Sequence, residues 1–317
     1  MQTMVADGPR PAREALPLPS PHMPSPLASP NRRGITAMVL AMALFVANDA
    51  LVKYVSTSMP TAQLVFIRGL FASVLLLLAA LAVGALRPAV APAASAWRHL
   101  TRRPVLLRAG LDALGTMAFL SALFHMPIAN ASAINLASPL FIAAYAALAW
   151  RERIGRGRWL AILVGFAGVL LVVQPAAEQF NAWSLMCLLG TALQAGRDLV
   201  TRRIAANVPS ILITLSTAWA TVLLAGPWSL LEGWGPLDAR QLALLATASV
   251  FLSVAYFLVT VAMRSGEVGL VVPFRYSALV FALLAGWLVW RDIPNALAWG
   301  GIVLLVCAGL ALVMRRG

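Results

Sequence analysis

The chain consists almost wholly of long apolar runs that carry next to no charge. A typical one, "AQLVFIRGLFASVLLLLAALAVGAL", holds one arginine in 25 residues. About 20 such residues in a helix cross roughly 30 Å of hydrocarbon, so runs of this kind read as membrane spans. Only helices and closed barrels satisfy their backbone in lipid, and the two-residue alternation of a barrel strand is missing. Ten spans follow, at 35–54, 61–86, 105–124, 130–150, 159–173, 182–200, 209–230, 240–262, 268–290 and 296–314. Hydrophobic residues make up 61% of the chain and charged residues 11%, more apolar surface than a water-soluble fold of 317 residues can hide. The fold class expected is an all-α polytopic membrane protein.

The net charge of +13 is distributed unevenly between alternate loops. One side takes the N-terminal tail (Arg10, Arg13, Arg32, Arg33), the segment from Arg87 to Arg108, and the 151–158 loop with its four arginines. Arg202, Arg203, Arg264, Arg315 and Arg316 fall on the same side, and only Lys53, Arg240 and Arg291 face the other. The positive-inside rule then places both termini in the cytoplasm, in a bacterial-type inner membrane. The basic balance is a topology signal, so the bilayer is the expected partner and nucleic acid is not. Residues 1–33 are rich in Pro and Ser and lack a signal-peptide core, which reads as a disordered cytoplasmic tail. Cys187 and Cys307 each stand alone in a span as small packing residues, and His125 has no second ligand type beside it. No metal or cofactor is assigned.

An internal repeat constrains the arrangement of the spans. Shifted by 140 residues, the stretch from Ser138 meets the stretch from Ala278. Phe141 falls on Phe281, Trp150-Arg151-Glu152 on Trp290-Arg291-Asp292, and Trp159 on Trp299. At a shift of 149, Asp49-Ala-Leu-Val-Lys53 answers Asp198-Leu-Val-Thr-Arg202. Each half, 34–174 and 182–314, therefore holds five spans. Five is odd, so the second half lies upside down relative to the first. Carriers built on inverted repeats place their site near the midplane, where the halves meet.

Charges inside spans are costly and are functional candidates by default. At 1.5 Å per residue, Asp49 lies roughly 8 Å and Arg68 roughly 11 Å from the same outer surface, so the two are expected to pair. Asp112, Asp198 and Arg275 lie in the inner half, with Arg197 beside Asp198. Ser132, Asn135 and Ser138 share one face of the fourth span. Pro139 and Pro273 free backbone carbonyls in spans four and nine. Tyr276 and Phe274 flank Arg275 and are placed to stack on a planar or cationic ligand. The candidate binding or gating residues are thus Asp49, Arg68, Asp112, Asn135, Ser138, Asp198, Arg275 and Tyr276. A plainer reading competes. Asp49–Lys53, Arg108–Asp112 and Asp198–Arg202 are i,i+4 pairs that can neutralise each other locally. Arg108, Arg151, Arg202, Arg203 and Arg291 then serve as interfacial anchors.

The segments "ANDALVKY", "FIRGLFAS", "PIANASAINLASPLF" and the W-R-E corner resemble the EamA group of the drug/metabolite transporter superfamily. "RDLVTRR" and "VPFRYSALV" are most similar to its branch of S-adenosylmethionine uptake carriers. The resemblance spans residues 35–314. It implies a ten-helix carrier or exchanger of amino acids, nucleotide-like metabolites or drugs, with a cavity lined mainly by spans 1, 3, 4, 6, 8 and 9. One departure is visible: Thr217 stands where the first half has Arg68.

The expected function is a secondary transporter of a small polar or zwitterionic metabolite, with S-adenosylmethionine uptake or exchange as the narrower alternative. Protons or a counter-substrate would be coupled partners, and a homodimer is a further possibility. No H-E-x-x-H, nucleophile–base pair or Walker A loop is present, which argues against an enzyme. A non-transporting receptor or assembly factor is the reading from another class.

Overall fold

The computed structural model describes residues 29–84, 101–150, 156–174, 182–201, 203–204, 208–265 and 268–314. The first 28 residues of the tail, the Arg87–Arg98 segment, the Arg151-Glu152 corner, Arg315 and Arg316 lie outside them. Every regular element among the described residues is helical. The elements are α1 (Ser29–Val55), α2 (Thr61–Ala82), α3 (Arg103–Phe124), α4 (Ile128–Asn135), α5 (Ser138–Trp150) and α6 (Arg156–Val173). The second half gives α7 (Trp183–Thr201), α8 (Ser210–Glu232), α9 (Ala239–Ser265), α10 (Val268–Val271), α11 (Ser277–Ala285) and α12 (Ala296–Met314).

Seven helical stretches are long and apolar enough to cross a membrane. Two shorter apolar helices, Trp159–Val173 and Ala296–Ala311, and the more polar α7 complete the ten expected spans in order. Two of the spans are interrupted, and they are equivalent in the repeat. Span four breaks at Leu136 and Ala137, between α4 and α5. Pro139 has no N–H to return to the Asn135 carbonyl, but it fits the first turn of a new helix. Span nine passes through a 3-10 segment, Val272–Tyr276, with Pro273 in its first turn, before α11. Its C-terminal end widens into a π turn, Gly286–Trp290, closed by Arg291 in the left-handed region at φ 59°.

Packing between helices is unchanged when the two halves are exchanged. The broadest contacts pair α1 with α9, α3 with α7, α2 with α8 and α6 with α12. Exchange the halves, and α1–α9 becomes α7–α3, while the other two pairs map onto themselves. Two equivalent modules related by a pseudo-twofold axis produce this pattern. In lipid, close approach depends on small residues more than on apolar burial. Gly115 of α3 and Gly190 of α7 supply it: a Cβ built on Gly190 would lie 2.8 Å from the Phe119 nitrogen and 3.0 Å from the Gly115 oxygen. Between the halves runs an apolar core that includes Leu64, Leu120, Leu123, Ile128, Ile134 and Leu140.

One end of the bundle is tied across the two halves. The Ala62 amide donates to Glu232 Oε2 at 2.7 Å, and Gln63 exchanges two hydrogen bonds with Gly235. Gln241 Nε2 donates to Ser58 Oγ, and Arg240 lies over the Tyr54 ring while donating to its hydroxyl. Gln174 and Asn295 pair through both amides.

Lys53 is part of the same closure. It is 8% exposed, not interfacial, and does not pair with Asp49. Its Nζ donates to the carbonyls of Leu123, at 2.8 Å, and Met126, and sits 5.4 Å from the Trp290 ring centre. A cation at the C-terminus of α3 satisfies carbonyls that have no partner within the helix.

Candidate functional site

A cavity of about 380 Å³ lies between the halves. All eight residues singled out from the sequence line it: Asp49, Arg68, Asp112, Asn135, Ser138, Asp198, Arg275 and Tyr276. Spans two and seven contribute as well as the six expected, through Arg68, Gly69, Thr217 and Thr221 among others. The outer and inner charge clusters therefore open onto one shared space.

The inner cluster is tightly knit. Asp112, in the middle of α3, and Arg197, near the end of α7, form an ion pair across the Gly115–Gly190 contact. Nε and Nη2 of Arg197 reach back to Asp198 Oδ1 at 2.9 and 2.8 Å, so one guanidinium ties two carboxylates. Arg197 and Asp112 are 17% and 8% exposed at the side chain, while Asp198 is 37% exposed. A charge-assisted network of this kind is worth its desolvation only when geometry is good.

Arg108 departs from both expectations made for it. It is neither paired with Asp112 one turn on nor a snorkelling anchor. Nε donates to Thr201 Oγ1 at 2.9 Å, and Nη1 donates to Thr217 Oγ1 at 2.5 Å and the Ile213 carbonyl at 3.4 Å. The threonine that replaces Arg68 in the second half thus accepts from an arginine of the neighbouring span. The Asp198–Arg202 pair lies outside the described side chains.

The outer cluster is open by contrast. Asp49 and Arg68 do not form the expected ion pair, because Asn48 stands between them. Asn48 Nδ2 donates to Asp49 Oδ1 at 2.9 Å, and Arg68 Nη1 donates to Asn48 Oδ1 at 3.4 Å. Two charges on consecutive antiparallel helices are joined through a carboxamide instead of touching. The backbone around Arg68 is fixed from the other half, where Ser249 Oγ donates to its carbonyl at 3.2 Å.

Ser132, Asn135 and Ser138 line the cavity on the face read from their spacing. Arg275 sits in the 3-10 segment, exposed to the cavity, with no hydrogen bond or ion pair among the described residues. Tyr276 presents its ring to the cavity, but its hydroxyl is buried against Gly309 of α12 without a partner.

Asn48 and Tyr256 were given no role from the sequence, yet both line the cavity. Tyr256 packs edge-on against Phe45, with ring centres 5.1 Å apart. An amide beside a buried acid is the signal that marks Asn48. Tyr256 has none, since an isolated tyrosine in an apolar run reads as packing.

Comparison with known proteins agrees with this architecture. A pseudopaline exporter of Pseudomonas aeruginosa is 29% identical over 285 residues, covering 89% of this chain and 96% of that protein. A riboflavin transporter of Rhizobium johnstonii is 32% identical over 226 residues, 69% of this chain and 72% of its own. An S-adenosylmethionine uptake transporter of Rickettsia bellii is 26% identical over 281 residues, 88% and 93% of the two chains. A solved crystal structure superposes with a TM-score of 0.61 at 20% identity, over 91% of this chain and 98% of that one, and so shares the fold. The sequence profile of the EamA-like transporter family matches twice, at residues 32–174 and 181–315. This chain, a multi-pass membrane transporter and not an enzyme, belongs to the EamA-like transporter family.

Proposed function

We propose that the chain is a secondary carrier that moves a small polar or zwitterionic metabolite across a bacterial inner membrane by alternating access. The observation that carries this reading is a cavity between the two halves that every candidate intramembrane charge lines. Its polar lining recognises substrate, and the polar ties across one end keep that end closed. With the arginine-rich loops in the cytoplasm, the tied end is external and the chain is poised open to the cytoplasm. Rocking of one half against the other would break those ties and close the opposite end. The Pro- and Ser-rich tail at 1–33 then lies in the cytoplasm with the C-terminus. The Rickettsia relative supports a narrower second reading, S-adenosylmethionine uptake or exchange. In proteoliposomes loaded with a metabolite panel, flux of the transported compound is expected to fall at least about tenfold in Asp49→Asn and in Arg275→Ala, with the melting temperature retained. A tenfold loss corresponds to one charge-assisted contact. Unchanged flux in both variants would remove these residues from the pathway.

A further inference from the structure

The two ionic groups of the cavity differ in a way that assigns one of them to ligand. In the inner cluster all three nitrogens of the Arg197 guanidinium are engaged by carboxylates. The guanidinium of Arg68, a residue only 8% exposed, has a single hydrogen bond among the described residues, the 3.4 Å contact to Asn48. A guanidinium carries five N–H donors, so most of those on Arg68 are left for a partner in the cavity. Its free donors border the cavity, as does Asp49, whose carboxylate accepts only from Asn48 among the described residues.

We propose that Asn48 holds Asp49 and Arg68 apart as a receptor for the α-amino carboxylate end of a small metabolite. This deepens, and rests on, the reading of the chain as a carrier. An ammonium and a carboxylate attached to one carbon present opposite charges side by side, as Asp49 and Arg68 do across one carboxamide. The ammonium donates to Asp49, and the carboxylate accepts from Arg68, a fork geometry suited to planar anions. A lone cation or a lone anion would leave one of the two protein charges unmatched, at the cost that follows from an uncompensated buried ion. If Asp49 and Arg68 met directly, they would satisfy each other and discriminate nothing. Asn48, hydrogen-bonded to both, prevents that collapse.

The test uses the purified full chain in lipid nanodiscs and isothermal titration with the twenty protein L-α-amino acids and S-adenosylmethionine. At least one is expected to bind. Its N-acetyl and carboxamide derivatives, each lacking one charge, are expected to bind roughly tenfold to a hundredfold more weakly. In Asp49→Asn the penalty for N-acetylation should shrink to about twofold, and in Arg68→Gln the penalty for the carboxamide should do the same. Asn48→Leu should weaken the parent compound by about tenfold or more. Absence of any binder overturns the proposal, as does a derivative that binds as well as its parent. The derivative comparison on the unmodified protein decides the matter even where a variant fails to fold. Flux separates this idea from the broader one. A compound that binds with the stated selectivity but does not cross in proteoliposomes would leave the receptor standing and remove the carrier. Vigorous flux of a metabolite without an α-amino carboxylate would do the reverse.

Discussion

Arg197 shows how far a side chain can act from the place its number suggests. It lies one turn from the end of α7, just before Arg202 and Arg203, where an arginine reads as an anchor at the membrane surface. Side chains on a helix lean toward its N-terminus, however, and on α7 that direction leads back into the bundle. The guanidinium thereby reaches Asp112 across the helix interface and keeps Asp198 in the same network. Removing one partner of such a pair leaves an uncompensated charge at Asp112. Arg197→Gln is expected to destabilise the protein by about 3–5 kcal/mol, and Asp112→Asn by less, because Arg197 keeps Asp198 as a partner. The double variant should recover much of the loss, since it removes both charges at once. Melting curves of the four proteins in one detergent give the coupling directly, and simple additivity would show that the pair is not a unit. The pairing is not legible in the sequence because each charge has a nearer candidate, Arg108 one turn before Asp112 and Asp198 next to Arg197. In the folded chain Lys53 and Arg108 each decline such a partner for a contact on another helix, and Asp49 accepts from Asn48 beside it.

Helix by helix, legibility tracks whether the signal is local. Pro139 and Pro273 announced the breaks in spans four and nine, because a missing N–H acts within one turn wherever it stands. The π turn at Gly286–Trp290 had no such mark, and it is what brings Trp290 over Lys53. The tight approach of α3 and α7 is also hidden in a sequence with 22 glycines, most of which look alike. The close approach falls at Gly190, where any side chain would press on the backbone of Phe119 and Gly115. Backbone cannot yield as a flexible side chain can. Gly190→Val is expected to cost about 1–3 kcal/mol through overpacking and to part the two helices that hold Asp112 and Arg197 together. The readout is twofold, a lower melting temperature and a loss of flux larger than that stability change alone produces. A variant that transports normally would mean that the Asp112–Arg197 distance does not matter to the cycle.

Inversion of the two halves decides what the cavity can be. The W-R-acid corner at Trp150 and its copy at Trp290 stand 140 residues apart on segments that run in opposite directions, so equivalent sequence faces opposite sides of the bilayer. The exchange of α1–α9 for α7–α3 is the packing counterpart of that repeat. Strict symmetry would make both ends of the cavity alike, and the sequence breaks it at Thr217. The structure breaks it further. Lys53 closes one end onto the carbonyls of α3, whereas at the other end Arg108 joins α3 to α7 and α8. An alternating-access cycle needs two ends that differ at any moment, and unequal fastenings provide that from one folded chain. The proposed sidedness rests on the arginine-rich loops. Reporter fusions inserted near Glu178 and near Arg264 are therefore expected on opposite faces, the first outside and the second in the cytoplasm. The same face for both would break the inverted arrangement. Opposite faces with Arg264 outside would keep the arrangement and reverse which end of the cavity is closed to the cell.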